Sequence, residues 1–429
     1  MQSNEQNSVG NKIRTTILVI FITRVGNYIP VPDVDQEYLI NILNSTPILR
    51  NFYTNENLVL GIFSLGILPY INASIMMQLL TSVVPSLEKL QKEEGEAGRR
   101  QITKYTRYLT LFWAIVESVS ITFALRPILF IWNFDICSQI TLALITGSMI
   151  ILWLSEIITE KGIGNGSSII ITANILAGLP NTLKTIYNSG TGFSLLFNVL
   201  SFTVLITGII YVQEAVRVIP LISAKQLFSQ TENPTKTSFL PLKINQGGVM
   251  PIIFASTVLT FLTVFVGFIA KLDAFSNLNI ATNVQTILYS GTNFVLILAF
   301  SLFYSNLNIA TNVQTIFYSG TNFVLILAFS LFYSNLILNP NELAKDLNKM
   351  AVTIPGIRPG NQTKEFLNKT LKRLSLLGAL FLAIIVTVPN IRSSYGFGVT
   401  SLLILVGVTV DTSRQIQTLL ISESYNKTN

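Results

Sequence analysis

Residues 66–108 read GILPYINASIMMQLLTSVVPSLEKLQKEEGEAGRRQITKYTRY, an apolar run followed at once by a dense charged one. From Gly66 to Pro85 the only strongly polar side chains are the uncharged Asn72, Ser74, Gln78, Thr81 and Ser82. A run of roughly 20 such residues is what a helix needs to cross the hydrocarbon layer. Lys89, Lys92, Arg99, Arg100, Lys104 and Arg107 come next. An apolar span that ends in a positive loop is the unit from which polytopic membrane proteins are built.

The rest of the chain repeats that unit. Over 429 residues it is 50% hydrophobic and 11% charged, with a mean hydropathy of +0.56, more apolar surface than one soluble core buries. Apolar windows bounded by polar, Pro or Gly residues predict ten spans: 15–31, 66–85, 108–126, 138–158, 167–182, 195–216, 248–270, 315–338, 373–389 and 398–412. With the N-terminus inside, 22 of the 28 Lys and Arg fall on inside segments, five fall outside, and Arg24 lies in the first span. Positive loops stay on the side of synthesis, so both termini are expected inside. The same clustering accounts for the net charge of +7 without a nucleic-acid partner. There is no His and one Cys, Cys137, so His-based catalysis, most zinc sites and an intrachain disulfide are excluded. The first twelve residues carry neither the apolar core of a secretory signal nor the Arg and Ser richness of a transit peptide. Synthesis in the compartment whose membrane receives the chain is the expectation.

One internal duplication tests the map. Ser276–Tyr304 and Ser305–Tyr333 are the same 29-residue unit in tandem, differing only at Leu288 and Phe317. If both crossed, the positive segment 340–373 would lie outside, against the charge rule. The second copy runs on through Leu338 and stops at Asn339-Pro340, so it is expected to form the eighth span. The first copy is expected to be an enlarged outer loop, or else a recent or artefactual duplication.

Several stretches, in order, make the resemblance specific. Gly66–Ile75, Gly95-Glu96-Ala97-Gly98-Arg99-Arg100 and Tyr105-Thr106-Arg107-Tyr108 are followed by Gly164–Ser168 and Ala177–Pro180. Leu240–Asn245, Pro251–Ser256, Pro355–Gly360, Thr400–Ile404 and Gln415–Leu419 complete the series. Together they resemble the SecY family, and plastid-encoded members most closely, over almost the whole chain. The resemblance implies an all-α integral membrane fold, with ten transmembrane helices in two inverted pseudo-symmetric five-helix halves around a central pore. It places an inside tail at 1–14, a first half at 15–185 with a plug at about 50–65, a second half at 186–412 and an inside tail at 413–429. The duplication, 276–333, lies before and within helix 8.

The implied activity is conduction of unfolded, signal-bearing polypeptides across the membrane or laterally into it, by the channel-forming subunit of a Sec translocase. The resemblance puts Ile71, Ile75, Ile171, Ile253 and Ile404 in a constriction ring, with Ser167 polar at a position usually apolar in the family. An apolar seal suits a conduit for varied peptides, and Ile71 and Ile75, four apart, share a helix face. On spacing alone, ordinary packing between helices accounts for these isoleucines equally well. A lateral gate is implied between helices 2 and 7, with Asn72, Ser74, Gln78, Ser256 and Thr257 on its faces; ordinary packing is again the alternative. For Asn57–Leu65, a plain connecting loop is the alternative to a plug.

Docking of a motor or ribosome is implied at Arg358, set between Pro355-Gly356 and Pro359-Gly360, and at Lys243 and Arg217 of a sparsely basic loop, 217–243. A loop Arg read alone is usually a topology signal. The implied partners are a SecE-like subunit, the SecA ATPase, the ribosome, precursor proteins and membrane lipid. No cofactor or metal is expected, nor an enzyme: no stretch fits G-x-x-x-x-G-K-[ST], and the Gly162–Gly166 turn lacks the strand of a nucleotide fold. A secondary transporter of small solutes is the main rival, and Arg24, Glu117 and Glu156 are the in-span charges it would need. An intramembrane enzyme would need a Ser/Lys or aspartyl pair that is not evident. Richness in Asn, Ile, Ser and Thr resembles plastid-encoded chains and points to a thylakoid membrane, with a bacterial plasma membrane as the alternative.

Overall fold

Helix α1 (Val9–Asn27) begins the described part of the chain in a computed structural model. The structure describes residues 9–32, 34, 60–92, 95–126, 129, 132–188, 192–223, 238–255, 311–391 and 399–428. The helices that follow are α2 (Leu68–Val83), α3 (Pro85–Lys92), α4 (Gly95–Ala124), α5 (Phe134–Lys161), α6 (Gly166–Asn188) and α7 (Gly192–Glu214). Strands β1 (Val216–Ser223) and β2 (Ser238–Lys243) come next, then α8 (Thr311–Ile337), α9 (Pro340–Lys349), β3 (Val352–Thr353), α10 (Asn361–Ile391) and α11 (Val399–Thr428). Residues 250–255 are helical where the seventh span is expected, and the rest of that span and the first repeat copy lie outside the described residues.

Three helices run well past their apolar cores. The third span was expected from 108, yet α4 starts at Gly95; the ninth was expected from 373, yet α10 starts at Asn361. The tail after 412 continues α11 to Thr428. A bilayer dictates where residues must be apolar, not where backbone hydrogen bonding ends, and Glu, Lys, Arg and Gln are good helix formers in water. Arg100 and Glu96, one turn apart on α4, form an ion pair of 2.9 Å that favours the extension slightly.

Side chains match a lipid-facing exterior. Large apolar residues such as Phe21, Leu142, Val204 and Leu377 are more than half exposed. Helix α5 carries an 18-residue window of mean hydropathy 1.9, and Gly166–Pro180, Phe202–Glu214 and Asn322–Ser334 are shorter apolar stretches. Inside the bundle, Thr106, Thr110 and Thr122 donate to the carbonyls of Ile102, Thr106 and Ser118 at 2.8–2.9 Å. Hydroxyls satisfied within their own helix can be buried without cost to the fold.

The chain divides into two compact units, Met1–Asn188 with Val408–Asn429, and Ser189–Gly407. In the first, α2 packs on α4, α4 on α5, and α5 on α1 and α6. In the second, α8 packs on α10, and a feature absent from the sequence reading appears. At both ends of the expected loop 217–243 the chain forms an antiparallel ribbon, with Val216 opposite Lys243 and Leu221 opposite Ser238, while 224–237 lie outside the described residues; β3 pairs with Ile222 and Ser223 to give the order β2-β1-β3. Pro220 sits where β3 does not reach, so its missing N–H falls on a still-open edge. Ile219, Leu221 and Leu242 bury one face against Leu347 of α9 and Leu367, Leu371 and Leu374 of α10. The ribbon is a small folded platform.

Candidate functional site

The segment before α2 turns sharply because Gly66 adopts φ 58, and α2 then starts with Pro69 in its first turn, where the missing N–H costs nothing. Just upstream, Val31 N donates to Leu60 O and Ile62 N to Ile29 O, both at 2.9 Å. Leu60 and Leu65 are buried with Val31, Leu125, Ile140 and Leu144. Of the expected plug, 60–65 is therefore packed within the first unit, and 50–59 lies outside the described residues.

The expected ring residues divide between the units. Ile71 and Ile75 are buried on α2, and Ile171 is half-buried on α6, all in the first unit. Ile253 and Ile404 are half-buried in the second. Ser167 stands in the first turn of α6, and its hydroxyl donates to Asn165 Oδ1 at 2.7 Å, as does its backbone N at 3.2 Å. Its polarity thus serves the helix start as an Asx-type turn.

The expected gate residues on α2 have different surroundings. Asn72 Nδ2 donates to Glu117 Oε1 of α4 at 2.7 Å. Ser74 and Gln78 line a cleft of about 160 Å³, whose walls include Thr81, Thr103, Thr106, Arg107 and Glu156. There Arg107 of α4 grips Glu156 of α5 through two bonds, Nε–Oε1 at 2.7 Å and Nη2–Oε2 at 3.0 Å. This fork-on-carboxylate geometry is the strong form of an ion pair. Ser256 and Thr257 lie outside the described residues. Glu117 and Glu156 stand out in the sequence as in-span charges, but their partners do not, since neither the Asn72 nor the Arg107 spacing carries a periodic signal.

The expected docking residues sit on the platform of the second unit. Arg217 is exposed on β1, next to Val216, which pairs with Lys243 at the end of β2. Arg358 is exposed on a turn whose flanking glycines, Gly356 and Gly360, take φ 77 and φ 101, a region costly for other residues. Ile357 N donates to Ile354 O at 3.1 Å, and Thr363 Oγ1 donates to Arg358 O at 3.0 Å. With Ile354 buried beneath it, this turn is held from both sides. Among the described residues, no group of His, Cys, Asp or Glu is placed to hold a metal ion.

The family model for SecY matches residues 61–315 and 308–413, the second match restarting inside the second repeat copy. The protein translocase subunit SecY of Guillardia theta is 45% identical over 99% of this chain and 98% of its own. Two solved structures share the fold at lower identity. A SecY channel, whose plug domain is described as stabilising the closed state and maintaining a membrane seal, superposes with a TM-score of 0.67 at 16% identity, covering 97% of this chain and 93% of that one. Sec61 in a canine ribosome-channel complex from the endoplasmic reticulum gives 0.61 at 16% identity, covering 97% and 94%. The fold is that of an all-α membrane channel carrying a small sheet, and on the family match and the full-length identity together this chain belongs to the SecY family.

Proposed function

We propose that the chain is the channel-forming subunit of a Sec-type protein translocase and conducts unfolded, signal-bearing polypeptides across a membrane or sideways into it. The observation that carries this reading is 45% identity to a protein translocase subunit along 99% of the chain. In this reading residues 15–185 and 186–412 are the two pseudo-symmetric halves. Ile71, Ile75, Ile171, Ile253 and Ile404 line the constriction, with Ser167 beside it, and Ser74, Gln78, Ser256 and Thr257 face the lateral gate. Arg358, Arg217 and Lys243 receive the SecA motor or the ribosome, and a SecE-like single-span subunit clamps the halves. The chain carries out no chemistry of its own, so ATP hydrolysis or peptide synthesis by the partner drives the polypeptide.

The membrane is the thylakoid, with both termini on the stromal side; the relative from Guillardia theta and the charge distribution of the loops support this. Protease added to the stromal face of intact thylakoids is expected to trim the end of α11, and full protection would reverse the orientation. A small-solute transporter would use Glu117 and Glu156 to bind cargo, but both carboxylates are engaged by Asn72 and Arg107.

Reconstitution tests the function directly. Vesicles holding the chain with a SecE-like partner are expected, on addition of SecA and ATP, to shield a signal-bearing precursor from external protease. No shielding by correctly inserted protein, together with uptake of a small solute, would overturn the assignment.

A further inference from the structure

Three glycines of the first unit are placed where any side chain would collide with the segment Leu60–Gly66 or its anchor. A Cβ on Gly26, near the end of α1, would enter the ring of Phe63. One on Gly61 would strike the carbonyl oxygen of Asn27, and one on Gly147, in the middle of α5, would strike the carbonyl oxygen of Ile62. The backbone of the segment therefore lies directly on α5 at Gly147 and directly on the end of α1 at Gly61, while Phe63 lies over Gly26. A two-residue bridge between Pro30 and Gly61, with its hydrogen bonds to Leu60 and from Ile62, locks the register.

We propose that Gly26, Gly61 and Gly147 form a latch that seats Leu60–Gly66 in its closed position, and that the closeness of this backbone contact sets how readily the channel opens. The proposal rests on the reading of this segment as the closing element. The physical basis is dispersion: attraction falls off within an ångström of optimal distance, so a backbone lying on a glycine loses most of its contact when a methyl pushes it away. The segment is also held by Leu60 and Leu65, which are buried with Leu125 and with Ile140 and Leu144 of α5, and by backbone hydrogen bonds to Ile29 and Val31 just after α1. The glycine contacts fix where this apolar packing can seat, so the close approach makes the seat specific.

The three positions make different predictions, because two face backbone and one faces a side chain. Gly147→Ala cannot be relieved by any side-chain change. Gly26→Ala can be relieved by removing the ring it meets, as in Gly26→Ala/Phe63→Ala. The readout is ion leak through the full chain reconstituted with its SecE-like partner in vesicles under a potassium gradient, with no precursor and no ATP. Gly147→Ala and Gly26→Ala are each expected to raise the leak about tenfold, the effect of overpacking a close contact. The double variant is expected to leak no more than Phe63→Ala alone. Additive leaks in Gly26→Ala/Phe63→Ala, or no leak in any glycine variant, would overturn the latch. The variant Leu60→Asn/Leu65→Asn separates the two ideas: if it leaks while the glycine variants stay tight, the segment closes the channel but the glycines do not hold it. If it too stays tight, the closing role itself fails.

Discussion

Arg358→Glu is expected to lower ATP-dependent protection of a precursor about thirtyfold, while the amount of inserted protein and its ion leak stay unchanged. The expectation follows from how the residue is presented. Its turn is fixed by two glycines at positive φ and by the Thr363 hydroxyl on the Arg358 carbonyl, so the guanidinium is offered at one place and little entropy is lost on docking. Below it, Ile354, Leu367 and Leu371 anchor the turn to the ribbon and to α10. Reversing a charge at such a point replaces an attractive contact with a repulsive one, a change of roughly 2 kcal/mol or more, which is about thirtyfold in affinity. Arg358→Lys keeps the charge but loses the planar fork, so an intermediate loss is expected. Arg217→Glu, near the start of β1, is expected to cost less. Equal losses at both positions would mean that the platform attracts its partner by net charge alone, and raising the salt would then abolish the difference.

Most of the expected spans fall on helices among the described residues, because a bilayer demands apolar side chains over a set length. The platform was not legible. Arg217 to Lys243 carries two prolines within its strands and pairs across a gap of polar residues, so alternation is interrupted and the register is set by contact with α9 and α10 far along the chain. For the same reason Arg217 and Lys243 read as points on a loop, when they lie on paired strands. Ser167 shows the opposite case. It looked like a defect in an apolar seal, yet its local partner Asn165, two residues away, gives it a helix-starting role that spacing alone predicts. Arg107 and Glu156, 49 residues apart, had no such local clue, and only the packing of α4 on α5 brings them together.

Asn72→Leu is expected to lower the apparent midpoint of thermal unfolding in detergent by about 5 °C and to reduce the amount of protein recovered from membranes. The residue was assigned from the sequence to the lateral gate, but in the structure it donates at 2.7 Å to Glu117 on the neighbouring helix of its own unit. Removing the amide leaves a half-buried carboxyl without its donor, and an unsatisfied polar group costs about 1–3 kcal/mol, more when it is charged. Replacing both groups removes the need as well as the partner. Asn72→Leu/Glu117→Leu is therefore expected to recover most of the lost stability, and Asn72→Asp, which sets a second carboxyl beside the first, is expected to be worse than Asn72→Leu. A residue acting at the gate would behave differently: its loss would change how readily signal-bearing precursors enter the membrane while leaving the unfolding midpoint in place, and Glu117→Leu would not repair it. The two roles thus separate on one pair of measurements. Destabilisation that the second substitution reverses assigns Asn72 to the α2–α4 contact, whereas an unmoved midpoint with altered membrane insertion returns it to the gate.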